Sequence, residues 1–139
     1  MIVLDTNVLS EMMRSRPDPR VIGWLNRQAL ERLWITSVTV FESRFGIERM
    51  AAGRRKSEID AQYHGVVAED LRGRVLDLDE RAAELAASIG ARLQSAGRPI
   101  QVNDLLIAGM VSARDATLAT RNVRHFDDTG IRTVDPWEG

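Results

Sequence analysis

Short apolar runs alternate with helix-length segments along this 139-residue chain, and that alternation admits few folds. Strand-like runs fall at residues 2–5, 33–35, 75–76, 117–120 and 132–134. Helical patterns separate them: 6–13, Pro19 to about Gln28, 37 to about 52, 57–71, 80–95 and 103–114. Asp18-Pro19 reads as a cap followed by a first-turn proline, and Asp79 as the cap of the helix opening at Glu80. Gly97 stands where a helix C-terminus favours glycine. Residues 105–111, Leu-Leu-Ile-Ala-Gly-Met-Val, are apolar on every side of a helix, which predicts burial on every side. Strands joined through helices predict an α/β fold, a parallel sheet with helices on both faces. In such sheets ligands bind beyond the carboxyl ends of the strands.

The length is that of one domain able to bury its own core, with no internal repeat or linker, so residues 1–139 read as a single domain. Net charge is −1 and selects no partner class. The chain has no cysteine, which rules out disulfides, thiol nucleophiles and thiolate zinc sites and suits a reducing compartment. No apolar run approaches the roughly 20 residues that span a bilayer. Strand-like residues begin at Ile2, leaving no room for a signal peptide, so a cytoplasmic location is expected. Lys56 is the one lysine beside 18 arginines. Arginine suits bidentate phosphate or carboxylate binding, although a GC-rich coding sequence gives the same bias.

Several polar residues stand at strand ends or on apolar stripes. Asp5 ends the first strand, with Thr6 or Asn7 available to cap the helix after it. In SVTVFESRFG, capped by Ser37, helical spacing puts Glu42 on a stripe with Val38, Phe41 and Phe45, toward the core. Its ordinary alternative is a stripe-edge pairing with Arg44 or Arg49. Asp104 opens the most apolar helix, where it is either a cap or a favourable first-turn charge; Asn103 as cap would free it. Thr120, Arg121 and Asn122 follow the fourth strand, either on Asp5's rim or as a plain turn. If the first strand is central, Asp5, Glu42, Asp104 and Asn122 face one cleft. Three carboxylates there repel, so one is protonated or a cation is held. All-oxygen ligation suits Mg²⁺ or Mn²⁺, and Mg²⁺ commonly works on phosphates.

The segments IVLDTNVLSE, TSVTVFESRFGI, NDLLIAG, LATRNVRHF and VDPW, in that order over nearly the whole chain, resemble PIN-domain ribonucleases. The closer resemblance is to the VapC-type toxins of bacterial toxin–antitoxin pairs and their Fit-like branch. It implies a PIN domain with sheet order 3-2-1-4-5 and a metal site of Asp5, Glu42 and Asp104. It also implies supporting roles for Thr6 and Thr120, and a fourth metal-side position at Asn122. Relatives often carry an acid at or just after that position; here Asn122 and His125 stand there, followed by Asp127 and Asp128. The implied activity is Mg²⁺- or Mn²⁺-dependent cleavage of RNA, silenced by a small antitoxin. A homodimer is implied too, with promoter DNA bound only through the antitoxin. Arg49, Arg54, Arg55 and Lys56 form a basic cluster able to contact RNA or antitoxin, or simply a solvated turn. The alternative is a catalytically weak module that acts mainly by binding antitoxin.

Other assignments fit less well. An aspartyl phosphatase wants a second Asp two residues after the first, where this chain has Asn7. A phospho-receiver needs a lysine near the site, and Lys56 falls in a basic turn. The two histidines are too few for a histidine zinc site, and His64 is expected on a helix surface. Trp24, Trp34 and Trp137 read as core or interface packing.

Overall fold

The computed structural model describes residues 1–138. Five strands, β1 (Ile2–Leu4), β2 (Leu33–Thr36), β3 (Val75–Leu76), β4 (Thr117–Ala119) and β5 (Arg132–Val134), form one sheet. Its order is β3-β2-β1-β4-β5, every pair is parallel, and β1 is central, as expected. The helices are α1 (Thr6–Met12), α2 (Pro19–Asn26), α3 (Ser37–Glu48), α4 (Arg54–His64), α5 (Glu80–Ser95) and α6 (Val102–Ala113).

Strand side chains alternate between faces, so each short strand feeds two cores. Ile2 and Leu4 of β1 join Leu33 and Ile35 of β2 in a core covered by α1, α2 and α4. Val3 and Leu118 point the other way, into a core built on α5 and α6. Both faces are therefore dry, which explains strands without a polar residue in β1. Trp24 and Trp137 are buried in the first core, while Trp34 is half-buried against the second.

Helix α6 is buried from Ile107 to Val111, as its composition predicted, while Leu105 and Leu106, expected to be buried with them, are half-buried. A Cβ on Gly109 would lie 2.4 Å from the Ala82 carbonyl oxygen of α5, so glycine is what lets these two backbones approach. Gly97 takes φ +73° after α5 and the Arg98 N–H reaches back to the Leu93 carbonyl at 2.8 Å, which closes the helix as expected.

Several boundaries differ from the sequence reading. The cap of α1 is Asp5, not Thr6 or Asn7. Thr36, not Ser37, caps α3, which stops at Glu48 rather than near Ala52. Gly53, with φ +151°, starts α4 at once, so Arg54, Arg55 and Lys56 lie in its first turn and not in a loop. The continuation Gly65–Asp70 is π-helical. Gln101, not Asn103, is the N-cap residue of α6, and its side chain makes no capping bond. The α3 stripe is also corrected: Val38 is buried, but Phe41 and Phe45 are 58% and 55% exposed.

Candidate functional site

Asp5 stands where β1 becomes α1. Its N–H still donates to the Ala119 carbonyl at 2.9 Å, which extends the β1–β4 ladder by one bond. That bond holds Asp5 in extended geometry (φ −71°, ψ 164°), so Thr6 is the first helical residue. The two carboxylate oxygens then have separate donors. Oδ1 accepts the Thr6 N–H at 2.9 Å, and Oδ2 accepts the Thr120 hydroxyl at 2.8 Å. Asp5 is only 5% exposed.

Asn7 completes this corner. Its amide nitrogen lies 3.4 Å from Asp5 Oδ2 and 3.3 Å from Thr120 Oγ1, and its amide oxygen accepts the Arg121 N–H at 3.2 Å. The sequence reading used Asn7 as a possible helix cap and to argue against a phosphatase, and missed this tie between the ends of β1 and β4. Its place two residues after a rim aspartate was the available signal.

Glu42 comes from α3. The Thr6 hydroxyl donates to Glu42 Oε1 at 2.8 Å and lies 3.3 Å from the Thr39 hydroxyl. Thr39 is buried and its N–H donates to Thr36 Oγ1 at 3.0 Å, so three threonines bridge the ends of β1 and β2. The pairing of Glu42 with Arg44 or Arg49 is not realised. Arg44 is engaged by Asp60 and Glu48, and the Arg49 guanidinium lies over the Phe45 ring. Asp104 sits in the first turn of α6, with a side chain 25% exposed, 3.6 Å from His125 Nδ1.

Electrostatics joins these acids. Burial raises the pKa of Asp5. The bonds from Thr120 and Thr6 oppose that rise, and the charges of Asp104 and Glu42 add to it. Asp104 is also raised by burial, with His125 acting against the shift. Asp5 thus lies in the field of both other carboxylates. Among the described residues, no three acidic or histidine side chains are close enough to form a ready-made metal cage. The donor chemistry still fits a hard cation: oxygen-only, anionic, and short of positive charge. Mg²⁺ is commonly held by one or two carboxylates with waters filling the rest of its shell.

The remaining predicted positions divide. Thr6 and Thr120 are bonded into the site. Asn122 is exposed, and its backbone N–H donates to Thr120 Oγ1 at 3.0 Å, so it stands beside the cleft. Asp128 pairs with Arg98 at 2.9 Å, as a turn residue. Arg49, Arg54, Arg55 and Lys56 gather instead at the end of α3 and the start of α4. There Arg54 lies 3.3 Å from Glu58, and Lys56 donates to the Glu48 carbonyl at 3.1 Å. His64 is exposed on a helix end, 3.6 Å from Asp60.

The sequence matches the PIN domain family over residues 2–131. It is 38% identical to the VapC ribonuclease Y4jK of Sinorhizobium fredii, covering 99% of both chains. It is 32% identical to toxin FitB of Neisseria gonorrhoeae, again covering 99% of both. The fold superposes with a TM-score of 0.89 on a solved structure of FitAB bound to a DNA fragment, at 32% identity, covering 99% of this chain and 96% of that one.

Proposed function

The chain belongs to the PIN-domain family, among the VapC and FitB toxins, and from that premise we propose that it is a divalent-metal-dependent endoribonuclease, the toxin of a toxin–antitoxin pair. One observation carries the reading. Asp5 is a buried carboxylate at the end of the central strand, and its neighbours include two further acids that push its pKa up. An uncompensated cluster of this kind is costly unless a cation joins it.

Asp5, Glu42 and Asp104 would hold Mg²⁺ or Mn²⁺, with Asn122 as the fourth metal-side position. When bound, such an ion acidifies a water and polarises a phosphoryl oxygen. The chain's own part is positioning. Thr6 and Thr120 fix the two oxygens of Asp5, Thr6 also orients Glu42, and α6 carries Asp104 to the same cleft. Rigid donors of this kind keep carboxylates aimed without reorganisation during the reaction.

The expected partners are an RNA substrate, a cognate small antitoxin that blocks the acidic cleft, and a second copy of the chain. Promoter DNA is reached through the antitoxin, in the cytoplasm. The solved structure of FitAB bound to a DNA fragment supports the assembly, and relatives named ribonucleases support the chemistry. No helix among the described residues is long and apolar enough to cross a membrane.

A second reading is favoured by Asn122 standing where relatives often have an acid, and by the absence of a closed three-ligand group among the described residues. In it the chain is a weak or inactive module that binds antitoxin for transcriptional control. Purified antitoxin-free chain separates the two. Metal-dependent RNA cleavage, lost on chelation and in folded Asp5→Ala, Glu42→Ala and Asp104→Ala variants, is the expected result. No cleavage with either metal, from protein that still binds antitoxin, refutes the enzyme reading.

A further inference from the structure

Beside Asp104 lies a cavity of about 430 Å³, between the 96–101 turn that joins α5 to α6 and the segment after β4. Its volume falls in the range of about 300–1,000 Å³ typical of small-molecule sites. Leu93, Pro99 and Ile100 give it an apolar side. Arg124 and His125 stand on another side. Arg98 also lines it but is committed to Asp128 at 2.9 Å. Arg124 is different: among the described residues its guanidinium has no ion pair or hydrogen bond. Gln101 and Asp104 line the cavity too, so α6 begins at its wall, and that helix start has no side-chain cap. Backbone N–H groups left free at a helix start attract phosphate oxygens.

An apolar side facing a cationic edge matches one ligand class well, a flat heterocycle carrying a phosphate. We propose that this cavity seats one nucleotide of the bound RNA, next to the phosphate that is cut. The base lies on Leu93, Pro99 and Ile100, and the nucleotide's own phosphate meets Arg124 and the start of α6. Asp104 is shared between the cavity wall and the acidic cluster, which places the nucleotide beside the metal side of the cleft. The inference rests on the ribonuclease reading for RNA as the source of the nucleotide. It adds a position at which the enzyme discriminates between bases, because the apolar side formed by Leu93, Pro99 and Ile100 responds to base size.

The test is a titration of isotope-labelled full-length chain with each common ribonucleoside 5′-monophosphate, and with inorganic phosphate, followed by amide NMR shifts. Saturable shifts at residues 98, 100–104 and 122–126 are expected, with nucleotides binding more tightly than phosphate. Arg124→Glu, an exposed charge reversal, should weaken nucleotide binding roughly tenfold or more, the usual worth of a charge-assisted contact. Ile100→Trp should fill the cavity, abolish those shifts, and alter base preference at one position in mapped cleavage products. Nucleotides that leave these amides unmoved, or that bind no better than phosphate, overturn the subsite. Wild-type RNA cleavage alongside that result leaves the ribonuclease reading standing. Nucleotide binding at the cavity without cleavage of any RNA overturns the ribonuclease reading instead, and the cavity is then a nucleotide site without that reaction.

Discussion

Replacing Thr120 by valine should cost stability in a pH-dependent way, and the sign follows from Asp5. Thr120 is fully buried, and its hydroxyl donates 2.8 Å to Asp5 Oδ2. Valine keeps the branched shape and removes that donor, together with the oxygen that accepts from the Asn122 N–H at 3.0 Å and lies 3.3 Å from the Asn7 amide nitrogen. Asp5 has a folded-state pKa above its usual value, so the folded chain takes up the proton first as pH falls. Its charge therefore weighs against folding increasingly as pH rises from the ordinary carboxylate range through the raised value. The Thr120 bond is one of the two bonds that restrain the rise, so its loss pushes the pKa higher. A hydrogen bond to a charged group contributes about 1.5–3 kcal/mol and one between neutral groups about 0.5–1.5 kcal/mol. The deficit of Thr120→Val should accordingly be about 2 kcal/mol well above the folded pKa of Asp5 and about 1 kcal/mol when Asp5 is protonated. Asn122, whose N–H also uses the Thr120 hydroxyl at 3.0 Å, is exposed and can turn to water. The assay is urea unfolding of both proteins in chelator, from pH 4 to pH 8. A deficit that is constant with pH, or larger in acid, would refute the argument.

Asn122→Asp should tighten Mn²⁺ binding and lower metal-free stability, because it adds charge beside an already repelling cluster; paired thermal melts across a Mn²⁺ titration check this, and unchanged metal dependence places Asn122 outside the site. Gly109→Ala should destabilise the chain by about 1–3 kcal/mol, since its Cβ would press on the Ala82 carbonyl at 2.4 Å and α5 must move away, as denaturant midpoints will report. Asp79→Ala should lose about 1 kcal/mol with the bond its carboxylate accepts from the Ala82 N–H at 2.9 Å, while RNA cleavage per folded molecule stays unchanged.

The sheet was legible because β1 to β4 are short, mainly apolar and regularly interrupted, and Asp5 was legible because it breaks that pattern at a strand end. Cap identities were not. Asp5, Thr6 and Asn7 are all capable caps, as are Thr36 and Ser37, and the sequence carries no local preference strong enough to choose. What chooses is tertiary: the ladder bond from Asp5 to Ala119 keeps Asp5 extended, and α1 must start one residue later. The α3 stripe failed for a related reason. Helical spacing groups Phe41 and Phe45 with Val38, but the side packed inward carries Val38, Thr39 and Ile47. Thr39 is tolerated there because its hydroxyl has partners in Thr6 and Thr36, which a hydrophobicity pattern does not register. The basic run 54–56 looked like a turn because of Gly53, yet arginine and lysine are good helix formers and Gly53 only starts the helix.

Capping alone does not account for a charge at position 5. Asparagine caps a helix about as well as aspartate. It would accept the Thr6 N–H equally, and its amide could donate to the Thr120 hydroxyl. It would also avoid burying a negative charge in the field of Glu42 and Asp104. For the metal-free fold, a carboxylate here is the less stable choice, and burial is the largest cause of its raised pKa. The two bonded donors, the Thr6 N–H and the Thr120 hydroxyl, act the other way and lower the pKa, without cancelling the rise. A site that raises this carboxyl's pKa by burial and repulsion, while its nearest donors lower it, is one where a bound cation would offset the cost of the charge. That is the physical reason the ribonuclease reading assigns to an aspartate at the end of β1, and it makes Asp5→Asn diagnostic. The variant should melt higher than wild type without metal at neutral pH, lose the stabilisation that Mn²⁺ brings, and cleave no RNA. A variant that melts lower in chelator would mean that the charge is structural, and the case for a cation at this rim would lose its main support.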